Sequence, residues 1–277
     1  GQTNAETAFV ETGNDKGMCK VSRQQVSLTS TIGYGLKNND VLFTGYPVIG
    51  FHNRVATSSN CVQTPDNDVR VCAWDNRIHG LFFHETSVGI DIHKVPDFIR
   101  DVKSLRDLVR PSFFCNADLY TGILMRFVKS SAAFLGDQHD AVRIDITYYR
   151  SRDPFYPRLH EDIWEEIEQM AIFKYGGRPH WGKNRPVAFI GAPSKYPDIG
   201  RFVAVKNRFD PRGLFSSEWS DAMLGLVPLA LSQSKGCALD GLCICSNDAH
   251  CAPQRGYRCL PGRIFRDARV CRKLNDG

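Results

Sequence analysis

The 277 residues are 42% hydrophobic and 23% charged, a globular balance with length for one large domain or two ordinary ones. No apolar run approaches the length of a membrane-spanning helix, which excludes a helical membrane protein. Of the net charge of +5, the stretch from Ser246 to Gly277 carries +4: Arg255, Arg258, Arg263, Arg266, Arg269, Arg272 and Lys273 against Asp248, Asp267 and Asp276. A basic tail can meet acidic polysaccharide, a membrane surface or nucleic acid, but this one lacks the interleaved aromatics of a nucleic-acid platform, so no nucleic-acid partner is expected.

The start, Gly1-Gln2-Thr3-Asn4-Ala5, has neither a basic nor an apolar leader region and reads as a mature or cleaved N-terminus. Residues 1 to about 25 form a polar lead-in. Gln25–Ser30 and Val41–Gly45 read as extended segments about the turn Lys37-Asn38-Asn39-Asp40, and Pro47–Phe51 as a further apolar stretch. Leu81 to Ile92 ends in clean alternation, Val88, Ile90 and Ile92 sharing one face of a half-buried strand. Pro96 suits the first turn of a helix, and Phe98, Ile99, Val102, Leu105, Leu108 and Val109 follow at helical spacing.

Gly122–Val128 is a strand with Ile123, Met125 and Phe127 on one face and Leu124, Arg126 and Val128 on the other. An unpaired guanidinium is costly on so apolar a face, so Arg126 needs either a ligand or a buried carboxylate such as Asp145. Val142, Ile144, Ile146 and Tyr148 alternate in a second strand. A helix over about Leu159–Tyr175 puts Leu159, Ile163, Ile167, Met170 and Ala171 on one side and stops at Gly176-Gly177. A short helix over Asp198–Asn207, a turn between Phe209 and Phe215, and an apolar linker from Leu224 to Leu231 follow. Strand, helix, two strands and a helix make an α+β domain, an antiparallel sheet with helices packed on one face.

Six of the ten cysteines crowd the end: Cys237, Cys243, Cys245, Cys251, Cys259 and Cys271. Their spacing fits no zinc pattern, and the glycines, prolines and Asn/Asp between them suit a small disulfide module whose pairing the sequence leaves open. Cys61 and Cys72 flank a polar loop as a local bridge, and Cys19 and Cys115 remain. So many cysteines place the protein in an oxidising compartment, secreted, extracellular or vacuolar. The expected division is residues 1–235 and a cysteine-rich module over 236–277.

One octet concentrates chemistry: Gly176-Gly177-Arg178-Pro179-His180-Trp181-Gly182-Lys183. Glycines permit unusual backbone angles, proline then fixes the chain, and an imidazole, an indole and an ammonium follow. The bland alternative is a Gly-rich turn closed by a buried Trp and a solvated Lys. The octet resembles the His-Trp-x-Lys motif of sugar-lactone oxidases, flavoproteins of the vanillyl-alcohol-oxidase type. Phe43–Phe51, Asp145–Arg150, Lys174–Gly177, Pro179–Asn184, Gly213–Trp219, Gly236–Leu239 and Gly241–Cys245 resemble, in order, signature stretches of plant L-gulonolactone oxidase-like proteins.

That resemblance implies the substrate-binding (cap) part of an FAD-dependent aldonolactone oxidase or dehydrogenase. The flavin would be held mainly by an N-terminal chain or domain for which these residues offer no Gly-rich pyrophosphate loop. It implies catalytic roles for Lys183, Arg126 and His180, with Lys183 and His180 next to the flavin. Trp181, Leu124 and Tyr148 would shape the pocket for a sugar lactone or other carbohydrate. Leu124 departs from the family's Glu-x-Arg strand motif, which has a carboxylate there. The competing expectation is a cofactor-free extracellular carbohydrate-binding or defence protein derived from such an oxidase. No metal site is expected.

Overall fold

The computed structural model describes residues 83–109, 114, 123–149, 160–239 and 241–274, with two short strands at 37–38 and 41–42. In chain order the elements are β1 (Lys37–Asn38), β2 (Val41–Leu42), β3 (Phe83–Asp91), α1 (Val95–Leu108), β4 (Leu124–Val128), β5 (Ala141–Tyr149) and α2 (Glu161–Gln169). Then come β6 (Arg178–Pro179), α3 (Ile199–Phe209), α4 (Glu218–Met223), β7 (Tyr257–Pro261) and β8 (Arg269–Lys273). The bridge expected between Cys61 and Cys72 lies outside the described residues, as do Cys19 and Cys115.

The main sheet runs β4-β5-β3-β6, antiparallel throughout. Its alternation gives one apolar face, where Val88 and Ile90 of β3 and Val142, Ile144 and Ile146 of β5 are buried. Against it pack Phe98 and Leu105 of α1 and Ile163, Ile167 and Met170 of α2. The architecture is α+β, as the element order predicts. α1 begins with Pro96 in its first turn and sets Phe98 edge-on to Tyr175, ring centroids 5.7 Å apart. β4, at the sheet edge, is exposed on both faces, Phe127 at 78%. β1 and β2 pair antiparallel, Lys37 opposite Leu42 and Asn38 opposite Val41, so that Lys37 and Asn38, expected in the turn, are strand residues; Gln25–Ser30 and most of the rest of that reading lie outside the described residues.

α2 differs most from its helical-wheel reading. The wheel gives one apolar stripe, yet all nine residues are buried. Its second, acidic side is covered by the C-terminal segment. The Glu166 carboxylate, fully buried, accepts hydrogen bonds from the backbone N–H groups of Arg263 (2.7 Å), Ile264 (2.6 Å) and Phe265 (2.9 Å). Gly262 is required by this close approach, since a Cβ there would stand 2.3 Å from the Phe265 carbonyl oxygen and 2.8 Å from Glu166 Cδ. Arg263 pairs with Asp162, and Gln169 exchanges two hydrogen bonds with the Arg269 backbone, at 2.9 and 3.0 Å. Three disulfides, Cys237–Cys243, Cys245–Cys259 and Cys251–Cys271, with the β7–β8 hairpin, form the body of that segment.

Candidate active site

The octet is placed by the end of α2. The last turn widens into a π-turn over Met170–Lys174, Gly176 takes a left-handed conformation (φ 65°), and Gly177 passes under the sheet. A Cβ on Gly177 would lie 2.3 Å from Val88 Cγ1 and 2.6 Å from the Ala171 carbonyl oxygen, so this turn is closed to other residues. Arg178 and Pro179 then pair with Gly89 and Val88 as the outer strand β6. His180 continues the ladder, its N–H donating to the Ser87 carbonyl at 2.9 Å. Asn184 closes the loop: its amide donates to the carbonyls of Ser87 (2.9 Å) and His180 (2.6 Å) and its oxygen accepts from Ser87 N–H (3.1 Å).

Within this loop the Gly182 N–H donates to His180 Nδ1 at 3.0 Å. Nδ1 is therefore an acceptor, and the neutral ring carries its proton on Nε2. Burial lowers the His180 pKa, and Arg143, Lys183 and Arg126 lower it further against an opposing pull from Asp145. The imidazole is thus held neutral as an N–H donor. Trp181 packs on Phe189 and Tyr196, ring centroids 5.2 and 5.7 Å away. Its ring braces the loop from the core side. Lys183 is half-buried, its N–H directed at the His180 carbonyl at 3.3 Å.

The charges of Arg143, Lys183, Asp145 and Arg126 all act on this imidazole. Arg126, Arg143 and Asp145 share the polar face of the sheet. Arg126 forms an ion pair with Asp145, only 3% exposed, which satisfies the demand for a buried carboxylate. Arg143 pairs with Asp137 at 2.7 Å. Leu124 lies directly opposite Asp145 and is 43% exposed. Tyr148 is on β5 opposite His84; its side chain is outside the described residues.

Three buried polar atoms on this face have no hydrogen-bond partner among the described residues: Ser87 Oγ, Arg143 Nη1 and Asp145 Oδ1. Ser87 is directly opposite Asp145, and Gly89 opposite Arg143, so the orphans sit on neighbouring strands. An unpaired buried polar group costs about 1–3 kcal/mol. Two acceptors and a donor left open side by side, next to an imidazole N–H, match a polyhydroxylated ligand. Ser87 and Arg143 stand in no motif of the sequence, and Asn184 closes the Pro179–Asn184 stretch without a role assigned to it there. Only the charged side of the β5 alternation, Arg143 and Asp145, hinted at this face.

Comparison with known proteins follows the same order along the chain. A family model described as D-arabinono-1,4-lactone oxidase matches residues 56–223, and one described as L-gulonolactone oxidase 2-like, C-terminal domain, matches residues 234–273. L-gulonolactone oxidase 2 of Arabidopsis thaliana is 51% identical over 87% of this chain and 41% of that protein. L-gulonolactone oxidase 5 of the same plant is 50% identical over 92% of this chain and 43% of that protein. The chain thus spans about two fifths of the length of these relatives. A third Arabidopsis protein, named probable truncated L-gulonolactone oxidase 7, mitochondrial, is 49% identical over 85% of this chain and 94% of its own length.

Proposed function

Because the chain belongs to the D-arabinono-1,4-lactone oxidase family, we propose that it supplies the substrate-facing part of an FAD-dependent aldonolactone oxidase or dehydrogenase acting on an L-gulono-1,4-lactone-like sugar. The observation that carries this reading is the trio of open polar atoms, Ser87 Oγ, Arg143 Nη1 and Asp145 Oδ1, beside the neutral His180. Sugar hydroxyls both donate and accept, and would complete all three. Arg126, fixed by Asp145, presents its remaining N–H groups to a ring or carbonyl oxygen. His180 offers Nε2–H to a substrate oxygen, and Lys183 holds a fixed ammonium where negative charge develops. Asp145 stands across the sheet from Leu124 and is the carboxylate nearest that position in the strand register.

The residues present fit one edge of a flavin: a half-buried ammonium and an imidazole donor suit the electron-rich side of the ring. When bound, FAD accepts the hydride that leaves the sugar carbon. The rest of the cofactor would be held by an N-terminal flavin-binding part of the same precursor. Exposed apolar side chains on β4 and on the turn after α3, Phe215 at 89%, support a docking partner of that kind. The three disulfides support a secreted or vacuolar location.

The test is lactone affinity in the flavin-containing assembly, read from the change in flavin absorbance on titration. Asp145→Asn, close in size, is expected to weaken binding roughly tenfold, about 1.4 kcal/mol. Unchanged affinity removes this face from substrate binding. A second reading, a carbohydrate-binding protein without flavin, is favoured by one observation: a relative named as truncated is matched over 94% of its length.

A further inference from the structure

Beside the polar face, on the far side of Arg178 from His180, lies a cavity of about 340 Å³ that the reading above does not use. That volume is near the small end of ligand pockets, about 300–1,000 Å³. Its walls carry Lys94, Arg178 and Lys195 together with Asp91 and Asp137. Asp137 is neutralised by Arg143 at 2.7 Å, which leaves three cations facing one carboxylate.

The cations have donors to spare. Lys94 Nζ reaches the Tyr175 carbonyl at a long 3.4 Å. Arg178 uses Nε on the Lys195 carbonyl (3.0 Å), and its two terminal amino groups remain open while the guanidinium stands 5.6 Å from the Tyr196 ring. Lys195 Nζ donates to the carbonyls of Ile172 and Gly177, both at 2.8 Å, and has one N–H left. Among the described residues none of the three is paired with a carboxylate. Burial, with Arg178 adding to it, pushes the Lys195 pKa down to about 8.

We infer that this cavity is a binding site for a small oxyanion of the carboxylate or phosphate class, gripped by the terminal amino groups of Arg178 and flanked by Lys94 and Lys195. A planar guanidinium with two open amino groups matches two oxygens of either anion, and the lysines add point charge. The site is distinct from the sugar-lactone reading in its cations: among the described residues Lys94, Arg178 and Lys195 bond to backbone carbonyls and not to Ser87, Arg143 or Asp145, although Asp137 of the wall pairs with Arg143.

The experiment is calorimetric titration of the full chain at fixed ionic strength, with inorganic phosphate and, separately, with gluconate. Saturable binding of one of them is expected, weakened at least tenfold by Arg178→Gln and by Lys94→Glu; Lys94 is exposed, so its variant keeps the fold. Tighter binding of phosphate assigns a phosphate site, and tighter binding of gluconate a carboxylate site. Saturation by neither anion, or binding that Lys94→Glu leaves unchanged in a sample with the parent's unfolding midpoint, overturns the inference.

Discussion

Burial first, and then the charges of Arg143, Lys183 and Arg126 against that of Asp145, disfavour the protonated imidazole of His180. The Gly182 N–H already occupies Nδ1. The folded pKa therefore lies below the ordinary value near about 6.5. Its stabilising contribution is complete above about pH 6.5 and is lost as the pH falls through the lowered folded value. His180→Asn should flatten this part of the acid side of a stability–pH profile measured by urea denaturation; equal slopes in the two proteins would contradict the account. Lys183 acts on the reaction itself. In a flavin-containing assembly Lys183→Ala should slow reduction of the flavin by lactone roughly 10²-fold, as loss of one charge-stabilising donor does. An unchanged rate in stopped-flow absorbance would remove Lys183 from the mechanism. The sequence exposes His180, Trp181 and Lys183 because glycines and proline set them off. It hides Ser87 and Arg143, whose setting is fixed only by what lies across the strand, and it includes Asn184 in a signature stretch without showing that its amide closes the loop onto Ser87. Arg126 was legible in part: the expected ion pair with Asp145 is present, but the face read as apolar is exposed at this edge strand, with the Arg126 side chain 47% accessible.

Among the elements, α2 shows what a periodicity argument leaves out. Its apolar stripe of Ile163, Ile167 and Met170 is correctly read from spacing, and the same spacing makes Asp162, Glu165 and Glu166 look solvated. Asp162 and Glu166 are buried because the C-terminal segment, some hundred positions later, brings them Arg263 and three backbone N–H groups, and Glu165 is met by Arg185. Thr86 Oγ1 donates to Glu168 at 2.7 Å, and Arg185 pairs with Glu168 and, at 3.1 Å, with Glu165, so the same helix braces both β3 and the loop that carries Asn184. Glu166→Ala would strand three N–H groups in the interior, a loss of about 3 kcal/mol or more. Chemical denaturation should show that loss, with Glu166→Gln intermediate. A change within about 0.5 kcal/mol would mean that the segment does not depend on this carboxylate.

For the whole molecule, the sheet and helices came through from alternation and helical spacing, since those periods are local. The pairing of the six terminal cysteines did not, because many pairings satisfy one spacing and only the fold selects among them. The tail's basic residues are likewise not a free patch throughout: Arg263 is engaged with Asp162, Arg258 with Asp248 at 3.2 Å, and Arg269 with the Cys259 carbonyl at 2.9 Å. The arrangement directs the tail inward, onto the helix that ends at the octet. The relatives L-gulonolactone oxidase 2 and 5 are more than twice as long as the stretch that this chain matches. The most direct measurement is the visible absorption spectrum of the native protein from its source, before and after anaerobic addition of L-gulono-1,4-lactone. The account predicts a flavin band that bleaches on addition of the lactone. A folded protein with no flavin band, or a band that no aldonolactone bleaches, would contradict it.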